Sequence, residues 1–336
     1  MTASTTPELE LSAAFTPNEA AYPVIDGRVQ PAGIRLLATD VHASEMYWRQ
    51  LKFAEFDISE LSISSLIIST AKGPTDWVAL PIFTSRRFFH TGVLVRRAAG
   101  IETPADLRGK RVGVPEYQQT SAVWSRGILG DEFGVRPEDV VWYMERPPEA
   151  SHGGATGFTP PPGVELHYIP STTNMGQMMV DGELDATLLY LRDANLIDRS
   201  RIDLHARADV RRLFPDPLAE AKRYYAKTGL FPINHTTVVR RSLLERHPWI
   251  AESIYDTFVR VKEMQRRERD ERLEPYVATG LLDAAAVAQL ARDPVPYGIV
   301  ANRRELETIA RYDYEQGLAT RLVGLEEIFA PSLLER

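Results

Sequence analysis

Short apolar runs bounded by Gly, Pro or Asp alternate along this chain with stretches whose apolar residues recur at helical spacing. Residues 9–15, 34–39, 56–61, 77–83, 90–96, 110–114, 140–144, 166–169 and 185–190 read as strands. Residues 44–53, 64–71, 120–133 and 174–181 read as helices between them. The helix at 120–133 is expected to open on Thr120 or Ser121 as its cap and to close at Gly134. Residues 147–163 are rich in Pro, Gly, Ser and Thr and read as a loop. Residues 229–240 run from a turn into a β-rich strand, and His247-Pro248 opens a long helix with Ile250, Ile254, Phe258 and Val261 on one face. Residues 303–322 read as helical. Strands alternating with helices over this length predict mainly parallel α/β sheets. A chain of 336 residues is long enough for two lobes.

Composition removes several function classes. A formal net charge of -7 gives no basic surface for nucleic acid. The chain has no cysteine, which excludes disulfides, thiolate metal sites and a cysteine nucleophile. No apolar run reaches bilayer length; the best, residues 61–71, is too short and broken by serines. The opening MTASTTPELE has no basic segment, apolar core or small-residue cleavage site, so a cytoplasmic protein is expected. No glycine-rich phosphate motif or HExxH pattern is present, and His90, His235 and His247 form no local ligand spacing. Neither a cofactor nor a metal is expected.

The stretch LRGKRVGV at 107–114 resembles the crossover into the second lobe of type II periplasmic-binding-protein folds. Five further stretches resemble the 4,5-dihydroxyphthalate decarboxylases: LPIFTSRRFFH at 80–90, GVPEYQQTSAVWSRGIL at 113–129, MMVDGELDA at 178–186, TGLFPINHTTVVRR at 228–241 and PYGIVANRRELETIARYDYEQGL at 296–318. They are spread along the chain from residue 80 to residue 318. The resemblance implies a two-lobed α/β fold, periplasmic-binding-protein-like and of type II, with a ligand cleft between the lobes. Residues 1–108 and 236–336 are expected in one lobe and 109–235 in the other. It also implies non-oxidative, cofactor-independent decarboxylation of a hydroxylated aromatic dicarboxylate, with 4,5-dihydroxyphthalate as substrate and protocatechuate as product. A hydroxylated pyridine dicarboxylate would satisfy the same groups. Where such proteins carry a basic residue just before the histidine of the SR…H element, this chain has Phe89, with Arg87 two residues earlier. The alternative reading is a solute-binding protein or sensor for an aromatic carboxylate, since fold alone does not set function. Lack of an export signal and of a lipoprotein cysteine counts against it. A thiamine-precursor enzyme of this fold would need a cysteine-containing iron site, which the chain lacks. Whether copies associate as a homo-oligomer is left open.

The chemistry requires a carboxylate clamp, polarised phenolic oxygens and a proton source for the ring carbon that loses its carboxylate. An ortho or para hydroxyl lets the ring serve as its own electron sink, where many decarboxylations borrow a cofactor. Ser85, Arg86 and Arg87 follow a strand end, where ligands of open α/β sheets bind, and arginine matches a carboxylate in bidentate fashion. Arg86 is preferred over Arg87. Glu116, Tyr117 and Gln118 precede the helix whose first residues, Thr120 and Ser121, form an anion site; Arg126 lies farther along it. Asn234, His235 and Thr236 sit where the chain returns to the first lobe. His90, His235 and Glu116 are the expected catalytic groups. One histidine polarises the phenolic oxygens, and the other histidine or Glu116 passes the proton. His42, His152, His167 and His205 carry no supporting context.

Overall fold

The computed structural model describes residues 8–336; residues 1–7, on which much of the export reading rests, lie outside them. The first elements are β1 (Leu9–Phe15), α1 (Tyr22–Ile25), β2 (Ile34–Asp40), α2 (Ala43–Phe53), β3 (Ile58–Ser62), α3 (Ile63–Lys72) and β4 (Trp77–Leu80). Then come β5 (Leu94–Arg96), β6 (Arg111–Val114), α4 (Thr120–Phe133), β7 (Val141–Met144), α5 (His152–Thr156), β8 (Glu165–Tyr168), α6 (Met175–Asp181), β9 (Ala186–Thr187), β10 (Val210–Arg212) and α7 (Pro217–Thr228). The chain ends with β11 (His235–Arg240), α8 (Arg241–Arg246), α9 (Trp249–Ala278), α10 (Ala284–Leu290), α11 (Arg303–Glu315) and α12 (Leu325–Ile328).

Two mixed sheets result, ordered β2-β1-β3-β11-β4 and β10-β5-β9-β6-β7-β8. β1 runs parallel to β2 and β3, while the returning β11 lies antiparallel between β3 and β4. Ala13, Ala14, Phe15 and all of β3 and β4 are buried, because helices cover both faces of this sheet. That double cover makes β4 (WVAL) a continuous apolar run, while β3 (ISELS) buries Ser59, Glu60 and Ser62 along with its apolar residues. The predicted face of α9, with Ile250, Ile254, Phe258 and Val261, packs into the cluster holding Phe15, Ile58 and Leu80. No helix of the described residues is long and apolar enough to cross a membrane.

The sheets place the first crossover earlier than residue 108. β5 already belongs to the second sheet, paired with β9 and β10, so the chain crosses between Leu80 and Leu94. The LRGKRVGV run leads from β5 to β6 within the second lobe. The two crossing segments lie side by side and antiparallel. Arg86 bridges to Ile233, Asn234 N–H donates to Ser85 O at 2.9 Å, and Arg87 N–H donates to Pro232 O at 3.2 Å. This hinge joins residues distant in sequence.

Local readings changed in three places. His90 lies in a 3₁₀ turn, Phe89–Gly92, rather than opening a strand. Residues 147–163 are not a plain loop: they contain α5, capped by Ser151, whose Oγ accepts from Gly154 N–H at 2.8 Å. The cap position of α4 is Gln119 rather than Thr120 or Ser121, and its side chain makes no capping hydrogen bond.

Candidate active site

Strand register builds the centre of the site. β11 pairs antiparallel with β3 so that Thr237 faces Glu60 and His235 faces Ser62. Side chains two residues apart on a strand share a face, so His235 and Glu60 are diagonal neighbours. His235 Nδ1 lies 3.5 Å from Glu60 Oε2, and Nε2 lies 2.6 Å from Asn234 Nδ2. Glu60 is fully buried and also accepts from the Thr16 and Thr84 hydroxyls. Burial pulls its carboxyl upward, but His235 and these hydroxyls outweigh that and hold it below the usual carboxylate range. An ionised carboxylate therefore stands behind the imidazole.

A cleft of about 550 Å³ opens in front of this pair, between the lobes. The first lobe contributes Thr16, Ser44, Tyr47, Ser62, Asn234 and His235; the second contributes Gln119, Thr120, Ser121, Arg146 and His152. Ser85, Arg86 and Arg87 line its hinge end. The uncapped start of α4 faces it, so free backbone N–H groups stand beside the Thr120 and Ser121 hydroxyls. Thr120 Oγ1 also lies 2.9 Å from Ser62 Oγ and accepts from Ser64 N–H at 3.1 Å, tying the lobes together.

Tyr47 stands between two imidazoles, its ring centre 4.8 Å from that of His235 and 5.7 Å from that of His152. Burial, aided by Glu60, keeps its phenol well above the ordinary tyrosine range and so protonated. Burial and the nearby Arg146 hold the His152 imidazole well below its ordinary value and so neutral. Arg146 is itself buried against Asp198, with Nε to Oδ1 at 2.7 Å, and its Nη2 donates to Ser44 Oγ at 2.6 Å.

Over 333 residues the chain is 33% identical to the 4,5-dihydroxyphthalate decarboxylase of Comamonas testosteroni, with 98% of each chain covered. The chain belongs to the 4,5-dihydroxyphthalate decarboxylase family. A second member, from Pseudomonas putida, is 37% identical over 181 residues, covering 54% of this chain and 70% of that one. No family model matches. Among solved structures, the Escherichia coli aliphatic sulphonate-binding protein SsuA superposes with a TM-score of 0.54 at 15% identity, covering 98% of this chain and 99% of that one. The desulfurization enzyme DszB gives 0.53 at 17% identity, covering 97% and 98%. These likenesses establish the two-lobed fold for this family member.

Several residues predicted from sequence lie away from the cleft. His90 is fully buried beside α7, its Nε2 3.1 Å from Glu220 and its ring against Phe214 and Tyr224. Its imidazole is pulled below the ordinary value by burial. Glu116 lies behind α5 and accepts from the His152 N–H at 2.9 Å, with burial pushing its carboxyl up to about 7. Tyr117 packs on Trp142 and Phe158 and stacks 3.8 Å from the Arg126 guanidinium, whose Nε donates to Gln316 at 2.8 Å. Gln118 bonds to Thr156, and Thr236 points to the other face of β11, donating to Leu80 O at 2.7 Å. Arg86 reaches the cleft wall, but its guanidinium turns away to Phe231 O, Pro296 O and Asn302. Arg87 is exposed at the hinge end and has no side-chain partner among the described residues. Ser85, Arg87, Thr120, Ser121, Asn234 and His235 are the predicted residues that the fold gathers with groups free to meet a ligand.

Sequence reasoning missed Glu60, Tyr47, Arg146, His152 and His42, the last also in the cleft wall. A carboxylate inside a predicted buried strand, Glu60 of ISELS, was a usable signal, because burying it without partners is costly. Arg146 follows the end of β7 and was open to the same strand-end argument that found Ser85. Tyr47 and His152 gave no such signal. Among the described residues, no three His, Cys, Asp or Glu side chains converge as metal ligands would.

Proposed function

We propose that this protein is a carboxy-lyase that converts 4,5-dihydroxyphthalate to protocatechuate and carbon dioxide. The observation that carries the reading is the match along almost the whole chain to a decarboxylase of that name. In this diacid each carboxylate stands para to a hydroxyl. Electrons from that hydroxyl let the ring carbon accept a proton, and the bond to the carboxylate then breaks and restores aromaticity. One proton is taken up for each carbon dioxide released. Arg87 and the open first turn of α4 hold the carboxylates. The substrate replaces Asn234 at His235 Nε2, and His235 delivers the proton to the ring carbon. Glu60, on the Nδ1 side, orients the imidazole. A solute-binding role would need the cations but gives no purpose to a buried carboxylate behind the histidine.

Purified protein incubated with 4,5-dihydroxyphthalate is expected to release carbon dioxide and protocatechuate in equal amounts. Prior chelator treatment should leave the rate unchanged, since the ring supplies its own electron sink. Binding without carbon dioxide release would favour the solute-binding reading. Activity lost on chelation and restored by one metal would overturn the cofactor-independent mechanism.

The two arginines are expected to part company. Arg87→Ala should raise KM by about tenfold or more, in line with a charged hydrogen bond to a carboxylate. Arg86→Ala should instead lower thermal stability and leave KM near the parent value, because its guanidinium serves Asn302 and two carbonyls. Steady-state kinetics and melting curves on both variants decide. The reverse pattern would return the carboxylate role to Arg86.

A further inference from the structure

Among the buried polar atoms of cleft-wall residues that have no hydrogen-bond partner among the described residues, which also include Arg86 Nε, Gln119 Nε2 and His235 Nδ1, Tyr47 Oη and His152 Nε2 stand side by side. Native proteins leave few such groups, and a donor and an acceptor left unpartnered side by side at a cleft are candidate contacts for its ligand. Tyr47 is 4% exposed and His152 1% exposed, so bulk water does not satisfy them. They belong to different lobes, Tyr47 to α2 and His152 to α5, yet their rings lie edge to face with centres 5.7 Å apart. Their joint position is fastened from both sides. Ser44, on α2, is gripped by Arg146 and Asp198 of the second lobe, and Trp48 Nε1 donates to Glu149 O at 3.0 Å.

The Ser65 hydroxyl has one proton and two neighbours, Ser62 Oγ and His152 Nδ1, each at 3.1 Å; we assign the proton to Ser62, which leaves a lone pair toward His152 Nδ1. His152 Nδ1 then carries the imidazole proton, and Nε2 is a bare acceptor. Tyr47, kept protonated, offers an O–H donor. A donor beside an acceptor is the complement of two hydroxyls on neighbouring ring carbons: one donates to Nε2, and the oxygen of the other accepts from Tyr47.

Resting on the decarboxylase reading, we infer that Tyr47 Oη and His152 Nε2 form the subsite that recognises the ortho-dihydroxy edge of the substrate. They select the dihydroxylated diacid over phthalate itself. His152 also draws on the proton of the hydroxyl it binds, so that this oxygen feeds electrons into the ring more readily. Both are binding residues that touch substrate oxygen, not the proton donor to carbon.

The test compares 4,5-dihydroxyphthalate with phthalate, which has the same carboxylates and no hydroxyl. Binding of both, read by rapid mixing before turnover, is measured on the full chain, on Tyr47→Phe and on His152→Gln. Tyr47→Phe removes only the hydroxyl and keeps the ring packing between the two imidazoles. The parent is expected to prefer the dihydroxylated acid, and each variant to lose about tenfold of that preference, the scale of a hydrogen bond left unmade. Phthalate affinity should stay unchanged, which reports an intact cleft. An unchanged preference in both variants, an equal fall for both acids, or no preference in the parent would overturn the proposal. The underlying reading fails separately: a parent that shows the preference but releases no carbon dioxide keeps the subsite and loses the reaction.

Discussion

At saturating substrate, His235→Ala turns over about 10²–10⁴-fold more slowly than the parent, the contribution typical of a positioned acid. KM should move far less, because proton transfer strengthens in the transition state and not in the bound substrate. Asn at 235 should rescue little, since it can hold a hydrogen bond but not move a proton. Glu60→Gln tests the partner. It keeps shape and loses charge, and a fall in kcat with an altered pH profile marks a positioning role through His235. His90→Ala serves as the contrast: its imidazole is sealed against Glu220, Phe214 and Tyr224, so kcat should stay near the parent value while stability falls. Near-normal kcat in His235→Ala would sink the mechanism.

Asp198→Ala is expected to destabilise the protein by about 3–5 kcal/mol, the usual result of leaving one half of a buried ion pair alone. Arg146 and Asp198 are each 2% exposed on their side chains and joined at 2.7 Å. Loss of the carboxylate strands a guanidinium that also holds Ser44 of the opposite lobe. Replacing both with apolar residues of similar volume should recover much of the stability, because removing a whole buried pair is far cheaper than breaking it. The pair also predicts an acid limb. Burial pulls the Asp198 carboxyl upward, but Arg146 and the hydrogen bonds from Ser44 and Asn195 outweigh it and hold the group below its ordinary value. Its stabilisation is thus fully present above the ordinary carboxylate range and fades as pH falls through the lowered value. Denaturant unfolding at neutral and acid pH measures both effects. An Asp198→Ala chain as stable as the parent would show that the pair contributes nothing beyond its own desolvation.

Much of the architecture was legible because it rests on local causes. The 120–133 helix follows from apolar residues closed by Gly134, whose φ of 65° suits glycine. The α9 face follows from its helical spacing, and the return strand from the β-branched run HTTVVR. Of the residues that line the cleft, Arg87, Thr120 and Ser121 were reachable because strand ends and helix starts meet ligands by rule, and His235 because the chain returns to the first lobe there.

The rest depends on which distant segments become neighbours. Arg86 and Arg87 are adjacent and chemically alike, yet the hinge register turns one inward to Asn302 and leaves the other at the cleft. His235 and Thr236 differ only in strand parity, and pairing with β3 decides which of them meets Glu60. His90 and His152 look equally plain as letters. Packing of α7 seals the first, and contact between α2 and α5 brings the second beside Tyr47. By itself the sequence determined the strand and helix periods and the stock of polar groups. Only the tertiary structure decided which of those groups share a cleft, because burial and pairing are set by contacts between residues far apart along the chain.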